Sequence, residues 1–461
     1  MRVSKHIKTI VRSKLSRDIV LTTVINSISK GTGLLVPFAV ALFYGASELT
    51  DAFFFTYSFI MFFTMILSTT LESVLVPFFV EKKSIPSQLN AFLEKIFGLT
   101  IISFMIVAVS IFLLIGPITI LLTKFSSPTI SLIQVLAVES IPIVLFMIVA
   151  SIFVANLNAH TVFHISAISP AVRALGVTGL IVACHSMLGI HAIPLAYCIG
   201  TFLCCVFLWN SSKRYMVVVR FLPRFRWGKK FREFVKIASF QMFGLVAVGF
   251  NPFIDRTMAT WLGVGNISVL VYAEKIYFMP VLLLTGGLFT VILPRWAASS
   301  ANNDHRTLRE EVKLLLLVSL ATSFIAVTPV LIFLENIVGV LFGAGIDDSS
   351  ILQLIRETAV FYLLGVGPYI MGQIVVRALL AMKLTRSIMV ISVAKSIFNV
   401  LLNLTFMWWL GVAGIALSTT VNAVIIFFVL YLTLIYQTKT YEDYGTVSGN
   451  IVQRDILNDY R

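Results

Sequence analysis

The sequence predicts an all-α polytopic membrane protein, about twelve transmembrane helices arranged as two parallel six-helix repeats around a central cavity. Three observations predict it. Of the 461 residues 58% are hydrophobic and only 12% charged, with a mean hydropathy of +0.97, far more apolar than the roughly half-apolar mix of soluble domains. The apolar residues fall in runs of about 20 or more, long enough to cross about 30 Å of hydrocarbon as helices. Finally, Leu188-Gly-Ile-His-Ala-Ile-Pro-Leu-Ala aligns with Leu410-Gly-Val-Ala-Gly-Ile-Ala-Leu-Ser, and the same register pairs Ala159 with Ala381 and Arg173 with Lys395.

Breaks at Gly, Pro and charge clusters divide the chain into segments 19–43, 49–80, 92–123, 129–157, 164–186 and 190–210, then 234–262, 267–294, 311–334, 351–382, 386–409 and 412–436. The basic amino-terminal residues Arg2, Lys5, Lys8, Arg12, Lys14 and Arg17 precede a run too long for a signal-peptide core, so the amino terminus is expected to be retained. Alternate links then separate by charge. Lys82 and Lys83, the Lys213 to Lys236 link, the Arg295 to Lys313 link, Lys383 and Arg386 lie with both termini. On the other side, Lys124 is the clear basic residue, and the 335–350 link carries Glu335, Asp347 and Asp348 without Lys or Arg. The positive-inside rule therefore predicts two cytoplasmic termini.

The expected organisation is a first lobe over 1–212, a basic cytoplasmic linker over 213–233, a second lobe over 234–440 and a cytoplasmic tail over 441–461. Gly45 to Pro77 and Gly263 to Pro294 repeat a second feature, an outer turn followed by an aromatic-rich helix that ends at proline. Six helices per half keep both copies in the same orientation, so the repeats run parallel and their interface is the natural place for a cavity.

The net charge of +14 is a topology signal, because the basic residues sit in short links and are not interleaved with aromatics as a nucleic-acid surface requires. Cys184, Cys198, Cys204 and Cys205 fall inside apolar segments without ligand spacing, which argues against disulfides and structural zinc. His160 and His164 have helical metal spacing but no neighbouring carboxylate or cysteine, so no metal site is expected. No phosphate loop, nucleophile elbow or HExxH stands in the chain. An ATPase engine and a hydrolase are thus unsupported, and a glycan polymerase or ligase would lack a large outer loop for its site. No cofactor is implied; energy must come from a gradient, and a coupling ion stays unidentified.

Ionisable residues inside spans are costly, about 2.5–3.5 kcal/mol on insertion scales, and so are candidates for function. Lys30, Arg173, Lys275 and Lys395 are expected to line the cavity and receive an anionic group such as a pyrophosphate. Asp51, Glu72, Asp255 and Glu274 are expected to couple or gate. Asp255-Arg256 and Glu274-Lys275 are adjacent, about 100° apart on a helix, and one of each is expected to face the cavity. Gly31, Gly33 and Pro37, with Pro280, Gly286 and Gly287, offer bending points.

The motifs Ser29-Lys-Gly-Thr-Gly33, Ala41-Leu-Phe-Tyr-Gly-Ala46, Thr50-Asp-Ala-Phe-Phe54 and Val76-Pro77 resemble the first two helices of the MurJ (MviN) lipid II flippase family. Ala259-Thr-Trp-Leu-Gly263, Tyr272-Ala-Glu-Lys275 and Leu293-Pro294 resemble its seventh and eighth, and Asn399-Val-Leu-Leu-Asn403 with Leu410 to Leu417 its last two common helices. The resemblance implies a V-shaped fold of the wider multidrug/oligosaccharidyl-lipid/polysaccharide exporter superfamily. It implies a flippase that moves a polyprenyl-pyrophosphate-linked glycan, lipid II or an exopolysaccharide unit, across a bacterial inner membrane by alternating access. The partners so implied are the lipid-linked oligosaccharide and membrane lipids, with a monomer expected. By position, Asp51 matches the family's acidic residue at the head of helix two, and Lys275 stands where a cavity arginine is usual. Val36-Pro37 and Thr64 replace family charges, and the protein is expected to lack the two further helices usual in the family. The alternative within the superfamily is a sodium- or proton-coupled exporter of cationic drugs.

Overall fold

The computed structural model describes residues 24–82, 86–215, 229–285, 292, 296–297, 299–300 and 304–459. The amino-terminal basic residues, Lys83, most of the basic linker, Gly286, Gly287, Pro294 and Arg295 lie outside the described residues. Among those described, 11 helical stretches are long and apolar enough to cross a membrane. They are α1 (Val24–Tyr44), α2 (Glu48–Lys82), α3 (Pro86–Leu122), α4 (Ser127–Ala159), then Phe163–Ser212, which a tight turn at Gly189–His191 divides into α5 (Phe163–Leu188) and α6 (Ala192–Ser212). After the linker come α7 (Lys229–Ala259), α8 (Asn266–Thr285), α9 (His305–Ile332), α10 (Ser349–Ala381), α11 (Thr385–Leu410) and α12 (Val412–Asp459). With the Phe163–Ser212 stretch divided at that turn, a helix stands among the described residues at each of the twelve expected positions.

The boundaries differ from the expected ones in two informative places. The helix α12 runs on to Asp459, through residues read as a tail. The link between α9 and α10 is not irregular: Leu334–Phe342 forms a short helix with Leu334, Val338 and Phe342 buried at four-residue intervals. That spacing is one face of a helix.

The two halves have one packing plan. In the first, α2 packs on α4, α4 on α3 and α6, α5 on α6, and α1 on α5. Six helices later, α8 packs on α10, α10 on α9 and α12, α11 on α12, and α7 on α11. The backbone repeats as well. Thr161 (φ 62°) and Lys383 (φ 60°) are the two non-glycine residues with positive φ among those described, and the register that pairs Ala159 with Ala381 pairs them too. Each closes its helix end alike, with Val162 N donating to Leu157 O at 2.9 Å and Leu384 N to Leu379 O at 2.9 Å, the hydrogen bonding of a Schellman stop. Gly189 (φ 53°) and Gly411 (φ 58°) obey the same register.

Large apolar residues cover the outside: Phe112 is 65% exposed, Leu121 82% and Trp408 87%. Such surface would drive aggregation in water and is what hydrocarbon requires. Where the halves meet, α2 lies along α7 through aromatic pairs: Phe55 and Phe59 on Phe253, Phe62 on Phe250, and Phe78 on Phe234.

Candidate functional site

At the end of the bundle that carries the α1–α2 and α7–α8 turns, the halves are joined by a polar seam. The first N–H groups of a helix have no partner inside it, and α8 begins at Asn266. Asp51 of α2 supplies what α8 lacks. Its Oδ2 accepts from Gly265 N at 2.6 Å, and its Oδ1 accepts from Ser268 N at 2.8 Å and Ser268 Oγ at 2.6 Å. The carboxylate is 2% exposed and sits at the positive end of the helix dipole, where a negative charge is stabilised. Ser268 Oγ also lies 2.9 Å from Thr50 Oγ1, and Tyr272 OH donates to Gly45 O at 2.7 Å.

This seam follows the repeat. The register that pairs Gly45 with Gly263 also pairs Thr50 with Ser268, and Phe54 with Tyr272, whose rings meet at 5.7 Å. Equivalent residues touching each other mark the axis that relates the halves. The link between α9 and α10 adds a plug: Phe342, fully buried, packs on Phe38 at 5.5 Å and stacks on Tyr272 at 5.0 Å. Behind it, a Cβ on Gly345 would stand 2.1 Å from Ala41 O, so only glycine allows the link to lie against α1.

Deeper in the second half lies a cavity of about 260 Å³, lined by Asp255, Arg256, Glu274, Lys395, Asn399 and Asn422 among others. Arg256 Nη2 pairs with Glu274 Oε2 at 3.1 Å. Asn403 Nδ2 donates to Asp255 Oδ1 at 2.6 Å, and Ser418 Oγ donates to Asn403 Oδ1, so α7, α11 and α12 are tied by one chain of polar groups. Asp255 and Arg256 both reach the cavity despite their angular separation, because it extends round α7. Among the described residues the amide oxygens of Asn251, Asn399 and Asn422 find no hydrogen-bond partner, which leaves acceptors for water or a cation. Arg256 and Lys395 in the same space oppose a cation.

The first half has a smaller cavity of about 170 Å³, between α2, α4, α5 and α6, lined by Glu72, Arg173, Met147 and several hydroxyls. Arg173 Nη1 meets Met147 Sδ at 2.9 Å. Lys30 acts electrostatically on Glu72 without closing to an ion pair among the described residues. Arg173 and Lys395, which the repeat pairs, therefore enter corresponding cavities of opposite halves rather than one shared space. Lys275 lines neither of the two; its Nζ lies 5.7 Å from the centre of the Phe278 ring. Asp255, Glu274 and Lys395 are brought together, Glu72 and Arg173 are brought together, and Asp51 stands at the seam.

Sequence reasoning assigned no role to Ser268, Tyr272, Asn403 and Ser418, although Tyr272 and Asn403 stand in the motifs quoted above. The first two gave a signal, since they are the repeat equivalents of Thr50 and Phe54. Asn403 gave another: a carboxamide within an apolar helix needs a partner. Among the described residues no group of three His, Cys, Asp or Glu side chains could hold a metal ion; His160 and His164 line a separate cavity beside Arg214 and Tyr215.

Comparison with known proteins places this geometry. The family model described as "Lipid II flippase MurJ" matches residues 40–449. A probable lipid II flippase MurJ of Buchnera aphidicola is 27% identical over 439 residues, covering 92% of this chain and 84% of the relative. That of Aquifex aeolicus is 28% identical over 339 residues, covering 70% of this chain and 65% of the relative. Among solved structures, a lipid II flippase MurJ in an inward closed conformation superposes with a TM-score of 0.75 at 21% identity, covering 91% of this chain and 87% of that one. An inward-facing multidrug resistance transporter of the MATE family gives 0.72 at 12% identity, covering 91% and 96%. At such identities the structural likeness is one of fold.

Proposed function

Because the chain belongs to the lipid II flippase MurJ family, we propose that it carries lipid II, a polyprenyl-pyrophosphate-linked peptidoglycan precursor, from the inner to the outer leaflet of the bacterial inner membrane by alternating access. The observation that carries the geometric side of this reading is the seam: Asp51 of one half caps α8 of the other, a contact between rigid units that can be made and broken without unfolding either. The Lys and Arg distribution supports assigning the seam to the outer face and both termini to the cytoplasm. In that orientation the structure is closed outward. Lys30 and Lys275, neither of which makes an ion pair among the described residues, are the cations we assign to the pyrophosphate. Asp255 and Glu274 are assigned to coupling.

The test is to deplete the protein in its host and add a membrane-impermeant enzyme that cleaves only outer-leaflet lipid II. Depletion is expected to leave the precursor intact and accumulated, and wild-type protein to restore cleavage. Lys30→Ala with Lys275→Ala is expected to fail to restore it. Unimpeded cleavage in depleted cells would overturn the reading.

A further inference from the structure

The two cavities treat their repeat-related cations differently. In the second half Lys395 shares its cavity with Asp255, whose charge acts on it. In the first half the acceptor that Arg173 meets is the Met147 thioether, and no carboxylate forms an ion pair with it among the described residues. A thioether is a weak acceptor, so among the described residues most of the guanidinium N–H donors, arranged in a planar fork, are left without a strong one. Glu72 lines the same cavity and, though Lys30 acts on it electrostatically, forms no ion pair among the described residues either. Ser68, Ser151, Ser169 and Thr201, also in the lining, donate their hydroxyl hydrogens to Thr64, Ile148, Ser166 and Tyr197 carbonyls of their own helices. Their oxygens can then only accept.

Unlike charges held apart inside a membrane-embedded lobe are costly unless something bridges them. The bridging group must offer an acceptor pair to Arg173 and hydrogen-bond donors to Glu72 and the hydroxyls. A pyrophosphate offers acceptors alone. A disaccharide offers hydroxyls but no anion, and about 170 Å³ is small for it. The end of a peptide matches on both counts, with a carboxylate for the fork and N–H groups or an ammonium for the acceptors.

We propose that the cavity between α2, α4, α5 and α6 is a subsite for the peptide terminus of the cargo: Arg173 takes its carboxylate bidentately, and Glu72 with the hydroxyl oxygens takes its N–H donors. This rests on the cargo being a peptidoglycan precursor, which carries a short peptide on its sugar. The subsite distinguishes precursors with a peptide from other glycans on the same polyprenyl pyrophosphate, and the pyrophosphate cations do not.

The experiment uses the full chain in proteoliposomes with two cargoes, lipid II and the same lipid-linked disaccharide with its peptide removed, each below saturation. Arg173→Ala is expected to slow transport of intact lipid II about tenfold or more, the size of a lost charge-assisted hydrogen-bond pair, and to leave the peptide-free cargo within about twofold. Arg173→Lys recovers part of the loss, because it keeps the charge but not the fork. Should Arg173→Ala fail to fold, Arg173→Lys and Glu72→Gln give the same comparison. Equal losses on both cargoes, or none on either, overturn the subsite while leaving the flippase reading standing. Wild-type protein that moves neither cargo overturns the flippase reading, and the subsite with it.

Discussion

Asp51 and Ser268, on different halves of the molecule, are joined twice, through the Ser268 backbone nitrogen at 2.8 Å and its hydroxyl at 2.6 Å. A helix cap is ordinarily local, supplied by the residue that precedes the helix. Here the cap of α8 comes from α2, so it exists only while the seam is shut, and its free energy belongs to one conformation.

Asp51→Asn tests this. The amide keeps the size of the side chain, removes the charge from the α8 terminus and turns one acceptor into a donor facing N–H groups. The shut state is expected to lose about 1–2 kcal/mol, the worth of a good cap plus its dipole interaction. Ile267 is fully buried at the seam. Labelling of Ile267→Cys by an impermeant maleimide should therefore rise several-fold in the Asp51→Asn background. Equal labelling in both backgrounds would remove Asp51 from the gate.

A second prediction concerns the repeat. Thr161 and Lys383 hold φ values of 62° and 60°, a region costing an L-residue about 1–2 kcal/mol. Glycine escapes that strain but gives back some of the gain through unfolded-state entropy. Thr161→Gly and Lys383→Gly are each expected to stabilise the protein by about 0.5–1 kcal/mol, read as a higher thermal midpoint. Thr161 should gain more, because a β-branched residue fits this region worst.

The spans were legible because hydrocarbon thickness sets a length that apolar runs must meet, and the repeat because residues such as Gly189 and Gly411 keep both spacing and conformation. The plug at Leu334–Phe342 was not, since nine residues cannot cross a membrane and an apolar link reads as loop. Side-chain grouping was only half legible. Periodicity tells which face of a helix Arg173 or Lys395 occupies, but not which helix stands opposite. Hence four cations expected in one cavity are divided between two lobes and the space around α1 and α8.

Protons supply a third prediction. Hydrogen bonds from the Ser350 hydroxyl (2.6 Å) and amide (2.8 Å) hold the Asp348 carboxyl below its ordinary value of 3.8. A depressed value means the stabilisation is complete above the ordinary value and is lost as pH falls through the folded one. Amide protection at Ser350 to Leu352, corrected for intrinsic exchange, is expected to hold at about pH 5 and decline below the ordinary carboxylate range near pH 4. Asp348→Asn should abolish that dependence. A decline centred well above pH 4 would assign it to another group.

The chain Ser418–Asn403–Asp255 gives the fourth. Asn403 donates to Asp255 at 2.6 Å and accepts from Ser418, so it holds α7 against α11 and α12 while answering a charge within the bundle. Asn403→Leu strands that carboxylate, and breaking one side of such a pair costs more than removing both. The expected loss is about 2–4 kcal/mol, against about 1 kcal/mol for Ser418→Ala, which removes a neutral partner. Asn403→Asp should be no better than leucine, since it replaces the donor with a second negative charge. Adding Asp255→Asn to Asn403→Leu should recover part of the loss, because the stranded group is then neutral. A double-mutant cycle on thermal unfolding reads this directly, with a coupling of about 1–3 kcal/mol expected. Additive effects would mean that Arg256 and Lys395, which share the cavity, already answer the Asp255 charge and that Asn403 serves packing alone.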